Sequence, residues 1–310
     1  MWFDPEVVRA AADASPEWLV LTLAVLSFLG SLFVVAPVAA WWYVRGDRER
    51  TGPWFAGMLA IYGAMTASKA FSPVDRPAVE PPIAVAEVPL ALQPLYAHAA
   101  LIDTASFPSG HALAALAFWG LIAIDADVGT RPARLAAAAG VVVVVSASRI
   151  VLGAHYVGDV VGGLVVGAVV LGAILALRGR LRDPTAGLFA VAGALATLAI
   201  LAGNVRAFAV LGAAVGALAA WRLTDGATEL PEGYRTLARQ RLATVGGCGL
   251  FVALSATGAA LTGHPLALAP LAAAAAALVV AAPVLADTHG SIRPPAIAKL
   301  GTTASDGRNE

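Results

Sequence analysis

Of 310 residues, 59% are hydrophobic and 13% charged, and the 20 basic and 20 acidic side chains cancel to a net charge of zero. A soluble domain carries about 25% charged residues, so this composition excludes an ordinary water-soluble fold and points to a membrane protein; a neutral chain also gives no electrostatic footing for nucleic acid. The one cysteine, Cys248, cannot close an internal disulfide.

The first residues carry Asp4, Pro5, Glu6, Asp13, Pro16 and Glu17 rather than a basic start, so no cleavable signal peptide is expected. A spanning helix needs about 20 mostly apolar residues. In chain order the apolar runs predict spans at Trp18–Val44 (long, holding Pro37, hence tilted or kinked), Trp54–Phe71, His111–Ile124, Leu135–Leu152, Tyr156–Leu177, Gly187–Gly203, Ala207–Trp221, Leu242–Leu261 and Leu266–Ala286. The proline-rich stretch 78–107 reads as a structured loop with a short interfacial helix near Val88–Ala100. The fold class is therefore all-α, a polytopic transmembrane bundle. Residues 18–180 form a motif-bearing core, 186–286 an additional four-span bundle without motifs, and 287–310 a polar, disordered cytoplasmic tail.

Lys and Arg in short loops set orientation. With the N-terminus outside, fifteen basic residues face the cytoplasm (Arg45, Arg48, Arg50, Arg131, Arg134, Arg178, Arg180, Arg182, Arg222, Arg235, Arg239, Arg241, Arg293, Lys299, Arg308) and five face outward (Arg9, Lys69, Arg76, Arg149, Arg206). Ionisable residues near spans are costly and mark function, and here they converge on the outer side. The second span ends in Lys69 and leads to Arg76-Pro77; the third opens at Pro108-Ser109-Gly110-His111; the fourth ends in Ser148-Arg149; the fifth opens around His155 and Asp159.

Each group has a physical use. Lys69, Arg76 and Arg149 can neutralise a phosphate and the charge of its transition state. Ser109 and Gly110 open a helix whose free N–H groups point at an anion. His155 and Asp159 lie four apart and share a face if that segment is helical. The carboxylate then binds one imidazole nitrogen and leaves the other free to attack. His111 can protonate a departing alkoxide. Taken singly, each feature has a plainer explanation: a lone cation snorkels to the interface and a lone His–Asp pair is a surface contact. A zinc site at His111, His155 and Asp159 would sit badly beside three cations. Asn204 and Arg206 read as helix caps in a tight outer turn, His264 as part of a second turn, and His98 as a loop residue near the site.

These residues resemble the type 2 phosphatidic acid phosphatase (PAP2) superfamily. Its pattern K-x6-R-P, P-S-G-H and S-R-x5-H-x3-D occurs unsubstituted as Lys69 to Arg76-Pro77, Pro108 to His111, and Ser148-Arg149 to His155 to Asp159. The resemblance covers roughly 18–177 and implies a vanadium-haloperoxidase-like core. It implies His155 as the nucleophile that forms a phosphohistidine, Asp159 as its orienting acid, and His111 as the acid for the leaving group. Lys69, Arg76, Ser109, Gly110 and Arg149 are then the phosphate pocket, with no metal or other cofactor. The partners implied are a lipid phosphate or pyrophosphate substrate and the surrounding membrane lipids. Members commonly have six spans, whereas five are expected here through the motif region and four beyond it. The reading is a cell-membrane, multi-pass lipid phosphatase with its site on the extracytoplasmic face; the excess of Arg over Lys suggests a prokaryote. A head-group phosphotransferase using the same site, or a non-catalytic anion-binding membrane protein, are the alternatives.

Overall fold

The computed structural model describes residues 2–224 and 265–288, all-α, with no strand among the described residues. The helices are α1 (Pro5–Asp13), α2 (Glu17–Ser27), α3 (Leu32–Arg45), α4 (Arg48–Phe71), α5 (Gln93–Ala100), α6 (Gly110–Asp125), α7 (Arg131–Val151), α8 (Val157–Arg180), α9 (Pro184–Leu201), α10 (Ala207–Thr224) and α11 (Pro265–Thr288). Four of them, α7 to α10, are long and apolar enough to cross a membrane, while α3, α6 and the stretch Leu268–Pro283 are shorter apolar helices. The expected span Leu242–Leu261, His264 and most of the expected tail lie outside the described residues.

Helix α4 is the axis of the bundle. Asp47 accepts from the Glu49 amide and caps its start, and every residue from Thr51 to Gly63 is buried. A helix apolar all round belongs at a bundle centre. Trp54, Phe55, Met58 and Leu59 meet Phe118 and Leu121 of α6, Phe189 of α9 and Trp221 of α10 in one continuous core. Helices α7 and α8 sit at the periphery and leave Val143, Val165 and Val169 exposed, as lipid-facing positions require.

The expected first span is not one helix. It divides into α2 and α3 through a 3-10 turn at Phe28–Gly30 and an extended Ser31, while α3 runs unbroken through Pro37. The cause is tertiary: Gly30 lies against the α6 backbone, where a Cβ would come within 2.5 Å of the His111 carbonyl oxygen. Before α2, the short helix α1 turns away by 117°. Its Val8 and Ala12 are buried, and it packs against α7.

Two close approaches fix the start of α6. Gly163 and Gly167 bring α8 onto it: a Cβ at Gly163 would lie 2.5 Å from Ser109 O, and one at Gly167 2.9 Å from Leu113 O. Small residues four apart permit such backbone contact between helices in lipid. At the opposite end of the bundle, arginines tie helices together through acids. Arg178 pairs with Asp125 at 2.9 Å, Arg50 with Asp127 at 2.5 Å and Arg222 with Asp183 at 3.6 Å, and the Arg48 guanidinium covers Trp221.

Candidate active site

The link between α7 and α8 places the imidazole. Arg149 lies in the last turn of α7, and Gly153 follows with φ +71°, which only glycine adopts cheaply. This turn lets the His155 amide donate back to Arg149 O at 3.0 Å and the Ala154 amide at 3.2 Å. The five residues between Arg149 and His155 are thus one closed helix end. Tyr156 is extended and α8 begins at Val157, so His155 precedes the helix rather than sharing a face of it. Asp159, in the first turn, reaches back to accept from the Tyr156 amide at 2.9 Å, and its Oδ2 stands 3.3 Å from His155 Nδ1.

That pair is almost fully enclosed, with His155 1% and Asp159 0% exposed. On the other side of the ring, Arg76 Nη1 is 3.2 Å from Nε2. A guanidinium can only donate, and a carboxylate can only accept. The network therefore assigns the proton to Nδ1 and leaves a lone pair on Nε2. Burial, then Arg76, Arg149 and Lys69, hold the His155 pKa well below its ordinary 6.5, so the ring is neutral at physiological pH.

The cations are fixed by a strap of backbone, Thr104–Ser106, held in place by the Ser106 amide donating to Val74 O at 2.7 Å. Lys69 Nζ donates to Ala105 O. Arg76 donates through Nε to Thr104 O at 2.7 Å, through Nη2 to Thr104 Oγ1 at 3.1 Å, and through Nη1 to Ala154 O. Burial lowers Arg76 to about 10, still protonated at neutral pH. Arg149 is 0% exposed and donates through Nη2 to Ala99 O of α5 at 2.6 Å. Helix α5 is in turn seated by Tyr96 and Ala99 against Val20 and Ala24 of α2.

Three donors of this group are left without a hydrogen-bond partner. Arg149 Nε and Nη1 and Ser109 Oγ are buried without a hydrogen-bond partner. Leaving a buried charged donor unpaired is costly, so the arrangement calls for an anion. The Ser109 amide donates to Asp159 O at 2.9 Å, which ties the start of α6 to the His–Asp pair. Gly110 packs so closely on Met65 and Lys69 of α4 that a Cβ there would overlap the Met65 side chain. His111 is half-buried, within electrostatic range of Arg149, His155 and Lys69. All eight residues singled out from the sequence therefore meet in one place. His98 is exposed and packs edge-on to Phe33 with centroids 4.9 Å apart.

Sequence reasoning missed Ser106. Its hydroxyl donates to Asp159 Oδ2 and stands 3.4 Å from His155 Nδ1, at 0% exposure. It adds a further donor to Oδ2, while Asp159 Oδ1 is buried without a partner, and its only signal in the chain is a polar residue just before Phe107-Pro108. The Asn204 turn also does more than cap helices: Asn204 Nδ2 donates to Thr66 O of α4 at 2.9 Å, and Arg206 pairs with Asp103 at 2.8 Å. Among the described residues, no three His, Cys, Asp or Glu side chains gather as metal ligands.

Residues 50–183 match the model of the PAP2 superfamily, a stretch that holds every one of the eight residues. No curated protein and no solved structure matches the chain. With the pattern, the all-α bundle and the family match in agreement, residues 50–183 of this chain form a PAP2-superfamily region, and members of that superfamily are generally phosphatases.

Proposed function

We propose that the protein is a metal-independent membrane phosphatase that hydrolyses lipid phosphate or pyrophosphate monoesters through a phosphohistidine on His155. The observation that carries this reading is the set of buried, partnerless donors on Arg149 and Ser109 beside a neutral imidazole whose Nε2 carries no proton and accepts from Arg76. Residues 18–180 carry the catalysis, and the described helices after them, α9 to α11, are additions to that core. The site faces the extracytoplasmic side, the orientation that places the arginines of the opposite end in the cytoplasm.

The phosphoryl group enters between Lys69, Arg76, Arg149, the Ser109 hydroxyl and the Gly110 amide, which take its nonbridging oxygens. Nε2 of His155 attacks phosphorus while the bond to the lipid oxygen breaks, and His111 gives that oxygen a proton. Asp159 keeps Nδ1–H in place and stabilises the positive ring that forms. Water, deprotonated by His111, then attacks phosphorus, releases inorganic phosphate and restores His155. The lipid chain stays in the bilayer beside α7 and α8.

Purified protein with excess chelator is expected to release inorganic phosphate from at least one of phosphatidate, phosphatidylglycerol phosphate, or an isoprenoid phosphate or diphosphate. Release from none of them, or complete loss with chelator, would overturn the reading. Phosphorylated alcohol in place of free phosphate, when acceptors are supplied, would make the enzyme a transferase.

The pH dependence has a definite sign. The attacking imidazole must be neutral, and its pKa is depressed, so activity persists below pH 6.5. After correction for the substrate's own ionisation, the acid limb of kcat/KM falls below 6.5. In Arg76→Gln, which removes a neighbouring positive charge, the limb moves upward. An acid limb at or above 6.5 in the wild type would contradict the protonation state assigned here.

A further inference from the structure

The helices after residue 183 lie beyond the family match, yet they touch the site. The turn between α9 and α10 is fastened beside Lys69: Asn204 Nδ2 donates to Thr66 O, three residues earlier in α4, and Ala207 packs with Ala67, Ala196 and Ala199. From this turn Arg206 Nη2 reaches Asp103 Oδ2 at 2.8 Å. Asp103 immediately precedes the Thr104–Ser106 strap, whose carbonyls hold Arg76 and Lys69 and whose serine holds Asp159.

A carboxylate at this position opposes the purpose of the pocket. Asp103 is ionised, its pKa held below the ordinary carboxylate value chiefly by the hydrogen bond from Arg206. Left alone, it would repel an incoming phosphate and compete for Arg76. Asp103 is 80% and Arg206 43% exposed in their side chains. An exposed pair adds little to folding stability, whereas its charges adjoin the strap that holds Arg76 and Lys69.

We propose that Arg206 is a positioning residue of the phosphate pocket: by pairing with Asp103 it cancels the carboxylate that adjoins the cation-holding strap, so that the appended helices complete the site. This rests on the reading of the pocket as a phosphate site. It differs from capping, because a cap would leave anion affinity unchanged.

The test uses the full-length chain in detergent, with inorganic phosphate as the binding probe and the best substrate of the panel for kinetics. Arg206→Ala is expected to weaken phosphate binding and raise KM by on the order of fivefold at low ionic strength. The effect shrinks at high salt, and kcat stays within about twofold. Arg206→Lys recovers most of the affinity. The double variant Asp103→Asn/Arg206→Ala returns to within about twofold of wild type, because the charge that needed cancelling is gone. Unchanged phosphate affinity in Arg206→Ala, or a double variant as weak as the single one, would overturn the inference while leaving the pocket intact. Failure of the wild-type protein to bind phosphate would instead remove the pocket reading, and this inference with it.

Discussion

Replacing His155 with alanine is expected to lower turnover of the best lipid phosphate by at least about 10⁴-fold, the scale on which loss of a covalent nucleophile is felt. Among the described residues no other nucleophile stands in its place: Asp159 Oδ2 is turned to the Tyr156 amide and Ser106, and His111 lies at the start of α6. Phosphate affinity should change far less, since the donors of Arg149, Ser109, Lys69 and Arg76 remain. Steady-state rates and phosphate binding on the same preparation check both halves. Activity within tenfold of wild type would remove His155 from the reaction, and equal collapse of binding and rate would mark a folding defect.

Arg149 carries the second large effect. Its guanidinium is wholly buried, one nitrogen is committed to Ala99 O, and Nε and Nη1 await a partner. In the proposed mechanism these donors take phosphoryl oxygens, and loss of even one such donor in a closed site costs roughly 10²–10³ in rate. Arg149→Met should therefore lose about that much kcat/KM. Arg149→Lys should recover little, because an ammonium cannot present the same planar fork. The stability outcome runs the other way. A buried, incompletely paired charge burdens the phosphate-free fold, and an apolar replacement of similar volume is neutral or stabilising. Arg149→Met should melt at or above the wild-type temperature without phosphate and gain less from adding it. Thermal unfolding with and without phosphate decides this; a large drop in Tm for the phosphate-free variant would mean that Arg149 serves the fold instead.

The sequence made the long apolar helices legible because hydropathy and length are local properties: α7 to α10 fall within a few residues of their expected bounds. The break at Ser31 was not legible. It follows from Gly30 meeting the α6 backbone, a contact between distant parts of the chain. The convergence of the eight residues on one end of the bundle was legible because side-chain chemistry at fixed spacing survives in a one-dimensional record. The strap that holds them was not: Lys69 and Arg76 are fixed by the carbonyls of Thr104 and Ala105, and any residue supplies a carbonyl. The spacing of His155 and Asp159 suggested a shared helical face, but the pair meets across a helix start instead. Arg50 and Arg178 served the sequence reading only as markers of orientation. In the fold they also bind Asp127 and Asp125 and lock the end of the bundle opposite the site. Asp103 and Arg206, 103 residues apart, carried no joint signal at all.

The most direct test is to trap the intermediate. Wild-type protein mixed with substrate labelled in the phosphoryl group and quenched in alkaline detergent should carry label on Nε2 of His155. The label should be stable to base, labile to acid, and absent in His155→Ala. Turnover that proceeds with no labelled protein, or with the label on another residue, would contradict the account.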